Sequence, residues 1–198
     1  YELPVERVLD DSGNELRVSV AGPEGPIHAI IWKIMVGRVP LYLLDTNILE
    51  NKPACRTITS RLYAADHKIR LAQEVLLGIG GMRALAAMKI NVKVLHINEG
   101  HSAFASLERL AQTISGFNVD LKTALEIVPR TTVFTTHTPV AAGHDEFPAE
   151  HVRPYLKPLE ESLQTTEKEI LSWGQPEDSD PDTPLSMFIL GLHAAAHC

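Results

Sequence analysis

Residues 92–97 of the chain read VKVLHI, and residues 98–102 that follow them read NEGHS. The apolar run is typical of a buried β-strand, and the polar residues after it predict that the strand ends there. The same arrangement recurs where residues 131–134, TTVF, precede residues 135–139, TTHTP. Because helical segments separate the two runs, they predict parallel strands of an α/β layer.

The residues that follow both predicted strands are polar or ionisable: Asn98, Glu99 and His101 after the first, and His137 after the second. In an open parallel sheet the carboxyl ends of adjacent strands face one crevice, where ligands bind. Gly100 would let the chain turn sharply, and Pro139 would end the second strand. We therefore predict that two histidines and a carboxylate converge on one small ligand.

Composition excludes several classes of protein. The 198 residues are 44% hydrophobic and 22% charged, which is ordinary for a folded domain. A net charge of -7 argues against nucleic acid or an anionic membrane as the main partner, and no apolar run is long enough to predict a membrane span. Cys55 and Cys198 have neither metal-ligand spacing nor the pattern of a disulfide framework, so we expect a cytoplasmic protein.

The sequence pattern divides the chain into two parts. Over residues 1–50, short β-branched runs alternate with turn signals, which predicts a meander of four antiparallel strands. Residues 51–198 predict an α/β part that opens with a long helix over 59–88, kinked or closely packed at its glycines. Because the chain starts at Tyr1 and the apolar stretch 186–197 has no helix cap, we expect a piece of a larger fold.

The remaining glycine and histidine motifs are compatible with other kinds of site. Gly78, Gly80 and Gly81 lie in a helical pattern without a Lys-Ser/Thr pair, which favours close packing, with Gly80 and Gly81 admitting another backbone, over a phosphate loop. His101 lacks the partners of a catalytic triad or a zinc site, and a role in starting a helix beside Ser102 stays open. We expect His144 to be structural or solvated.

Several motifs, in order along the chain, resemble one family. They are residues 42–47 (YLLDTN), 58–63 (ITSRLY), 73–74 (QE), 77–81 (LGIGG), 83–85 (RAL), 98–104 (NEGHSAF) and 133–140 (VFTTHTPV), with Asp66 and Arg70. This combination resembles the α-glucan (glycogen/maltodextrin) phosphorylases, most closely their shorter bacterial and archaeal branch. It departs from that branch at Ala64 and Ala65, where two glycines are often found, and at His67, where an arginine is often found.

The resemblance implies a GT-B glycosyltransferase, in which two Rossmann-like domains enclose the active site. This chain would be an internal fragment of the N-terminal domain, inactive by itself. The whole enzyme would use phosphate to cleave the terminal α-1,4-glucosyl unit of a glucan and release glucose 1-phosphate. Its pyridoxal phosphate would be bound to a lysine beyond Cys198, and a homo-oligomer stays open.

The resemblance also implies roles for the four polar residues. His137 would contact the sugar, Asn98 would lie beside it, and Glu99 and His101 would be supporting or acceptor-side groups. Three other interpretations stay open, one of which is an isolated folded scaffold with no function of its own. A GT-B glucan synthase that uses a nucleotide sugar also has a histidine after a strand of its first domain. A non-catalytic carbohydrate-binding domain would need an aromatic platform, whereas only 6% of the residues are aromatic.

Overall fold

An antiparallel sheet begins the structure, a computed structural model that describes residues 4–62, 64–138 and 144–198. Its four strands are β1 (Val5–Arg7), β2 (Arg17–Val20), β3 (Ile27–Val36) and β4 (Val39–Asp45). One face of this sheet is covered, which buries alternate aliphatic residues along the strands, namely Val18, Val20, Ile27, Ala29 and Ile31. The antiparallel strands predicted near the start of the chain are therefore confirmed.

The strands do not pair in the consecutive order of a meander, so that part of the prediction is wrong. β3 pairs with all three others. β4 pairs with one edge of β3, along the second half of β3. β1 and β2 pair with the opposite edge of β3, one after the other. The turn between β1 and β2 is held by local contacts. Gly13 has a φ of 83°, and the Asp10 carboxylate accepts hydrogen bonds from the N–H groups of Ser12 and Asn14.

The helix predicted over residues 59–88 begins later than predicted, at His67. Asp66 is its N-cap, because the carboxylate accepts hydrogen bonds from the N–H groups of Lys68 and Ile69. The helix then runs as α1 (His67–Val75), a π-helical segment (Leu76–Gly80) and α2 (Gly81–Ala87). A π-helical segment inside a helix is uncommon and marks a local change of helical pitch.

The glycines of this helix allow close packing, as predicted, but only some of them do so at a neighbouring backbone. A Cβ atom on Gly78 would lie 2.6 Å from the backbone nitrogen of Ala105, so this glycine admits the next helix. A Cβ atom on Gly80 would meet side chains, of which Leu76 is nearest at 3.1 Å. A Cβ atom on Gly81 would have nothing within 4 Å. The expectation that Gly80 and Gly81 admit another backbone is therefore wrong.

Two parallel strands follow, as the sequence predicted. β5 (Leu95–Asn98) pairs with β6 (Thr132–Thr135) in the register that sets Asn98 opposite Thr135. The connection between them contains α3 (Ala105–Phe117) and α4 (Leu121–Ile127). Val133 also forms a parallel bridge with His197, so the last residues extend the pair on the free edge of β6. The carboxyl ends of both strands therefore lie side by side.

The remaining elements pack around the larger hydrophobic core, to which α1, α3 and α5 contribute. They are β7 (Glu146–Phe147), α5 (Ala149–Leu156), α6 (Glu160–Leu163), α7 (Glu167–Ser172), β8 (Leu185–Ser186) and α8 (Met187–His193). The chain is thus a mixed α/β structure with an antiparallel sheet and a parallel strand pair. No helix within the described ranges has both the length and the apolar character needed to cross a membrane.

Candidate functional site

The ends of β5 and β6 bring three of the four predicted site residues together. The Glu99 N–H continues the ladder one residue beyond the strands by donating to the Thr135 carbonyl oxygen at 2.8 Å. His137 then contacts both residues at the end of β5, through its backbone N–H to Glu99 and through its ring to Asn98. Pro139, predicted to end this strand, lies outside the described residues, as do Tyr63 and Val140 of the motifs above.

The Glu99 carboxylate is fixed by the segment that follows β6. Its Oε1 accepts hydrogen bonds from the His137 N–H at 2.6 Å and the Thr138 hydroxyl at 3.2 Å, and its Oε2 accepts one from the Thr136 hydroxyl at 3.2 Å. The bond from the His137 N–H is the main reason why the pKa of Glu99 lies below its usual value. Most of the acceptor capacity of Glu99 therefore serves to orient His137.

Glu99 itself adopts a backbone conformation that is rare for any residue other than glycine. Its φ is 59° and its ψ is 176°. The predicted sharp turn therefore occurs at Glu99. Glycine is needed at position 100 for a different reason, because a Cβ atom there would lie 3.0 Å from Met187. A strained backbone of this kind persists only where surrounding contacts hold it, and the three hydrogen bonds to the Glu99 carboxylate do so here.

We expect Glu99→Gly to be more stable than Glu99→Ala by about 1 to 2 kcal/mol, because only glycine adopts this backbone conformation without strain. Both substitutions remove the same carboxylate, so the difference between them isolates the backbone. Urea unfolding of the two variants measures it. Equal free energies of unfolding would contradict the strained conformation at residue 99.

His137 is exposed, and one of its ring nitrogens is oriented by Asn98. Nε2 of His137 lies 3.0 Å from Oδ1 of Asn98. An amide oxygen can only accept a hydrogen bond, so Nε2 is the donor and Nδ1 has the lone pair. With its backbone held by Glu99 and its ring held by Asn98, His137 presents a ring of defined orientation and tautomer at the strand ends.

His101 makes its described contacts with a second group of residues. Its Nδ1 is 2.7 Å from Nη2 of Arg70, 3.0 Å from Oδ2 of Asp145 and 3.3 Å from Oε1 of Glu74. Arg70 and Glu74 belong to α1, and Asp145 directly precedes β7. These contacts direct the Nδ1 side of His101 towards α1, while Asn98, Glu99 and His137 contact one another.

The charges around His101 are strongly coupled. Burial raises the pKa of Glu74 to about 9, and the nearby Asp145 carboxylate adds to that rise. Burial also raises the pKa of Asp145, but hydrogen bonds with Glu74 and Arg70 outweigh it, so that the pKa falls below its usual value. The environment therefore separates the titration of the two carboxyl groups.

The same residues have the donor set of a metal site, because ligand atoms of Glu74, His101 and Asp145 all lie within 4.8 Å of one another. Arg70 Nη2, however, is 2.9 Å from Glu74 Oε1, 2.8 Å from Asp145 Oδ2 and 2.7 Å from His101 Nδ1. The guanidinium group thus takes the position that a cation would need. Since it is always charged, it already supplies a positive charge beside Glu74 and Asp145.

His144 has structural contacts, in agreement with the expectation for it. Its ring stacks on Phe188 with the centroids 4.3 Å apart and the planes 2° from parallel. Its Nε2 lies 3.2 Å from the Thr138 carbonyl oxygen. These contacts join the residues on either side of segment 139–143 and connect both to α8.

Arg70, Glu74 and Asp145 are the residues that sequence reasoning missed as parts of a polar cluster. The spacing of Arg70 and Glu74 places them on one face of a helix, and Glu74 falls on the face that points inward. An acidic residue on the buried face of an amphipathic helix is a signal that could have been noticed. Nothing local in the sequence indicates Asp145 as its partner.

Comparison with known proteins gives a consistent result. No protein-family profile matches the chain. The glycogen phosphorylase of Mycobacterium tuberculosis is 45% identical over 160 residues, which cover 78% of this chain and 18% of that protein. The maltodextrin phosphorylase of Thermococcus litoralis is 41% identical over 186 residues, which cover 94% of this chain and 22% of that protein.

A more distant relative extends the similarity to almost the whole chain. The glycogen phosphorylase of Aquifex aeolicus is 32% identical over 197 residues, which cover 98% of this chain and 28% of that protein. The chain therefore spans between 18% and 28% of the length of these three relatives. The resemblance found in the sequence motifs is confirmed: the chain is a homologue of part of the glycogen and maltodextrin phosphorylases.

Proposed function

We propose that this chain is part of an α-glucan phosphorylase, which cleaves terminal α-1,4-glucosyl units with phosphate and releases glucose 1-phosphate. The names of its relatives support this proposal. The observation from the structure that supports it most is the convergence of Asn98, Glu99 and His137 at two parallel strand ends, the usual position of a ligand crevice in an α/β sheet.

In this proposal the fold is the Rossmann-like part of the N-terminal domain of a GT-B enzyme. Residues 1–50 form a β subregion, and residues 51–198 form the α/β part that holds the strand ends. A crevice at the carboxyl ends of β5 and β6 would be closed by a second domain from outside these residues. The enzyme would act in the cytoplasm, in keeping with its two unpaired cysteines.

The role of these residues is to position the sugar. The Nε2 hydrogen of His137 is donated to Asn98, so Nδ1 is the ring atom that faces the sugar as an acceptor. A sugar hydroxyl group can donate a hydrogen bond to it. Because the Glu99 carboxylate already accepts three bonds from residues 136–138, its contribution is to hold His137 in place as positive charge develops on the sugar ring.

The cofactor of the whole enzyme would be pyridoxal phosphate, bound to a lysine outside these 198 residues. Residues 98–102 and 135–138, which line the strand ends, contain no lysine or arginine to hold it. When bound, its phosphate group would supply acid–base chemistry to the substrate phosphate. The partners would be an α-1,4-glucan and phosphate or glucose 1-phosphate.

Replacing His137 with alanine in the full-length enzyme tests this proposal. We expect kcat/KM for phosphorolysis to fall by an amount equivalent to about 1 to 3 kcal/mol, the cost of a lost hydrogen bond in a buried complex. His151→Ala is the matched control, because His151 lies on α5 and, within the described residues, the one ion pair of its ring is with the neighbouring Glu150, at 3.7 Å. Unchanged phosphorolysis in His137→Ala, or activity that requires a nucleotide sugar, would contradict the proposal.

A further inference from the structure

Four polar side chains from three separate segments meet around one ring nitrogen. Arg70 and Glu74 lie on α1, His101 lies in the turn after β5, and Asp145 directly precedes β7. Arg70 Nη2 lies within 2.9 Å of an atom of each of the other three. Among the described residues, Arg70, His101 and Asp145 are the charged or titratable groups in contact with Glu74.

The position of Arg70 decides the tautomer of His101. A guanidinium group has donors only, so the atom 2.7 Å from Nη2, which is Nδ1 of His101, must be an acceptor. A hydrogen on Nδ1 would put two donors in direct contact. Nδ1 of His101 therefore has no hydrogen, and the hydrogen of the ring is on Nε2.

An acceptor at Nδ1 creates a conflict that a proton must resolve. The same nitrogen lies 3.0 Å from Asp145 Oδ2 and 3.3 Å from Glu74 Oε1, and carboxylate oxygens also accept only. With both carboxylates ionised, three lone pairs would face one another around a guanidinium nitrogen that has two hydrogens. A proton on one carboxyl group supplies the missing donor.

Glu74 is the carboxyl group that is better suited to hold this proton. Its side chain is 2% exposed, whereas that of Asp145 is 28% exposed and can keep its charge in contact with water. In the described part of the chain, Oε2 of Glu74 is buried without a hydrogen-bond partner, which an ionised carboxylate tolerates poorly. The raised pKa of Glu74 agrees with this choice.

We propose that Glu74 is protonated at neutral pH and that, with Arg70 and Asp145, it holds His101 as a neutral imidazole with its hydrogen on Nε2. Glu74, Arg70 and Asp145 are then positioning residues for His101, and Arg70 and Asp145 form the balanced charge pair. The supporting or acceptor-side part that the family resemblance implies for His101 in glucan binding would rest on the proposed function above, whereas the assignment of the proton and the tautomer does not.

A pair of isosteric substitutions tests which carboxyl group has the proton. Glu74→Gln copies a protonated glutamate but cannot ionise in the unfolded chain, so at neutral pH it is expected to leave Tm unchanged or to raise it. Asp145→Asn removes the negative charge that the proposal places opposite Arg70 and is expected to lower Tm by about 3 to 6 °C. The reverse order, or equal losses in the two variants, would overturn the proposal.

The pH dependence gives an independent readout on the same pair. The pKa of Glu74 is raised to about 9 in the folded chain. Between the pKa of Glu74 in the unfolded chain and this value, the folded chain therefore binds one proton more than the unfolded chain does. Its stabilising effect is present at low pH and is lost as the pH rises through that range. For each unit by which the pH rises in that range, the folding equilibrium constant of the wild type should fall by up to about tenfold relative to that of Glu74→Gln. Parallel profiles for the two proteins would contradict a protonated Glu74.

Spectroscopy of the wild-type chain observes the proton directly, even where a variant fails to fold. At pH 7, the infrared spectrum should contain the band of a protonated carboxyl group, and that band should shift when glutamate is labelled with carbon-13. Nitrogen-15 shifts of His101 should show hydrogen on Nε2 and none on Nδ1. Absence of the glutamate band, or hydrogen on Nδ1, would overturn the proposal. None of these measurements involves glucan, so their failure would leave the proposed function untouched.

Discussion

Replacing Phe134 with alanine is expected to lower the free energy of unfolding by about 3 to 5 kcal/mol. The Phe134 side chain is fully buried in a small cluster with Ile97 and Ala194. Its ring lies edge-on to Phe188 with the centroids 5.7 Å apart, and a Cβ atom on Gly191 would come within 2.6 Å of it. Since β5 and α8 are both held by backbone hydrogen bonds, they can relax into the cavity only in part. Urea unfolding measures the loss.

The same substitution at Phe117 is the control, because this side chain is 72% exposed at the end of α3. There we expect a change of less than about 0.5 kcal/mol. Phe134 also lies one residue before Thr135, whose carbonyl oxygen accepts the Glu99 N–H. Hydrogen exchange at the Glu99 amide should therefore be faster in Phe134→Ala than in Phe117→Ala. Similar losses of stability in the two variants would show that the small cluster does not support the strand ends.

The part of the site that could be predicted from sequence is the part that depends on neighbouring residues. Two apolar runs, each followed by polar residues, predict two strand ends, and parallel pairing follows from the helices between them. These rules suffice to bring Asn98, Glu99 and His137 together, since all three lie within two residues of the last pair of the ladder, Asn98 and Thr135. The prediction needed no knowledge of how the rest of the chain packs.

The contacts of His101 could not be predicted in this way. Its partners Glu74 and Asp145 are 27 and 44 residues away along the chain, so they depend on how α1 and the residue before β7 pack against the turn after β5. The same limit applies to the first sheet. Whether β2 pairs with β1 or continues along β3 depends on the direction in which the turn at Gly13 leaves the strand, and turn residues alone do not specify it.

Replacing Gly78 with alanine is expected to lower the free energy of unfolding by about 3 kcal/mol, at the upper end of the usual cost of overpacking. A Cβ atom there would lie 2.6 Å from the Ala105 nitrogen and 2.8 Å from the Phe104 Cβ. Both contacts involve atoms on or next to the backbone, so no side-chain rotation can relieve them. The two helices would have to separate, and the gain in helix propensity of about 1 kcal/mol is too small to offset that movement.

Gly81→Ala is the matched substitution, three residues further along the same continuous helix. Gly81 has helical angles, with a φ of -60° and a ψ of -47°, and a Cβ atom there would meet nothing within 4 Å. We expect it to stabilise the chain by about 0.5 to 1 kcal/mol, because alanine has less conformational freedom to lose on folding. Opposite signs at the two glycines would attribute the cost at Gly78 to its contact with α3. Changes of the same sign and size would instead indicate an effect on the helix itself and would contradict the close approach of the two backbones.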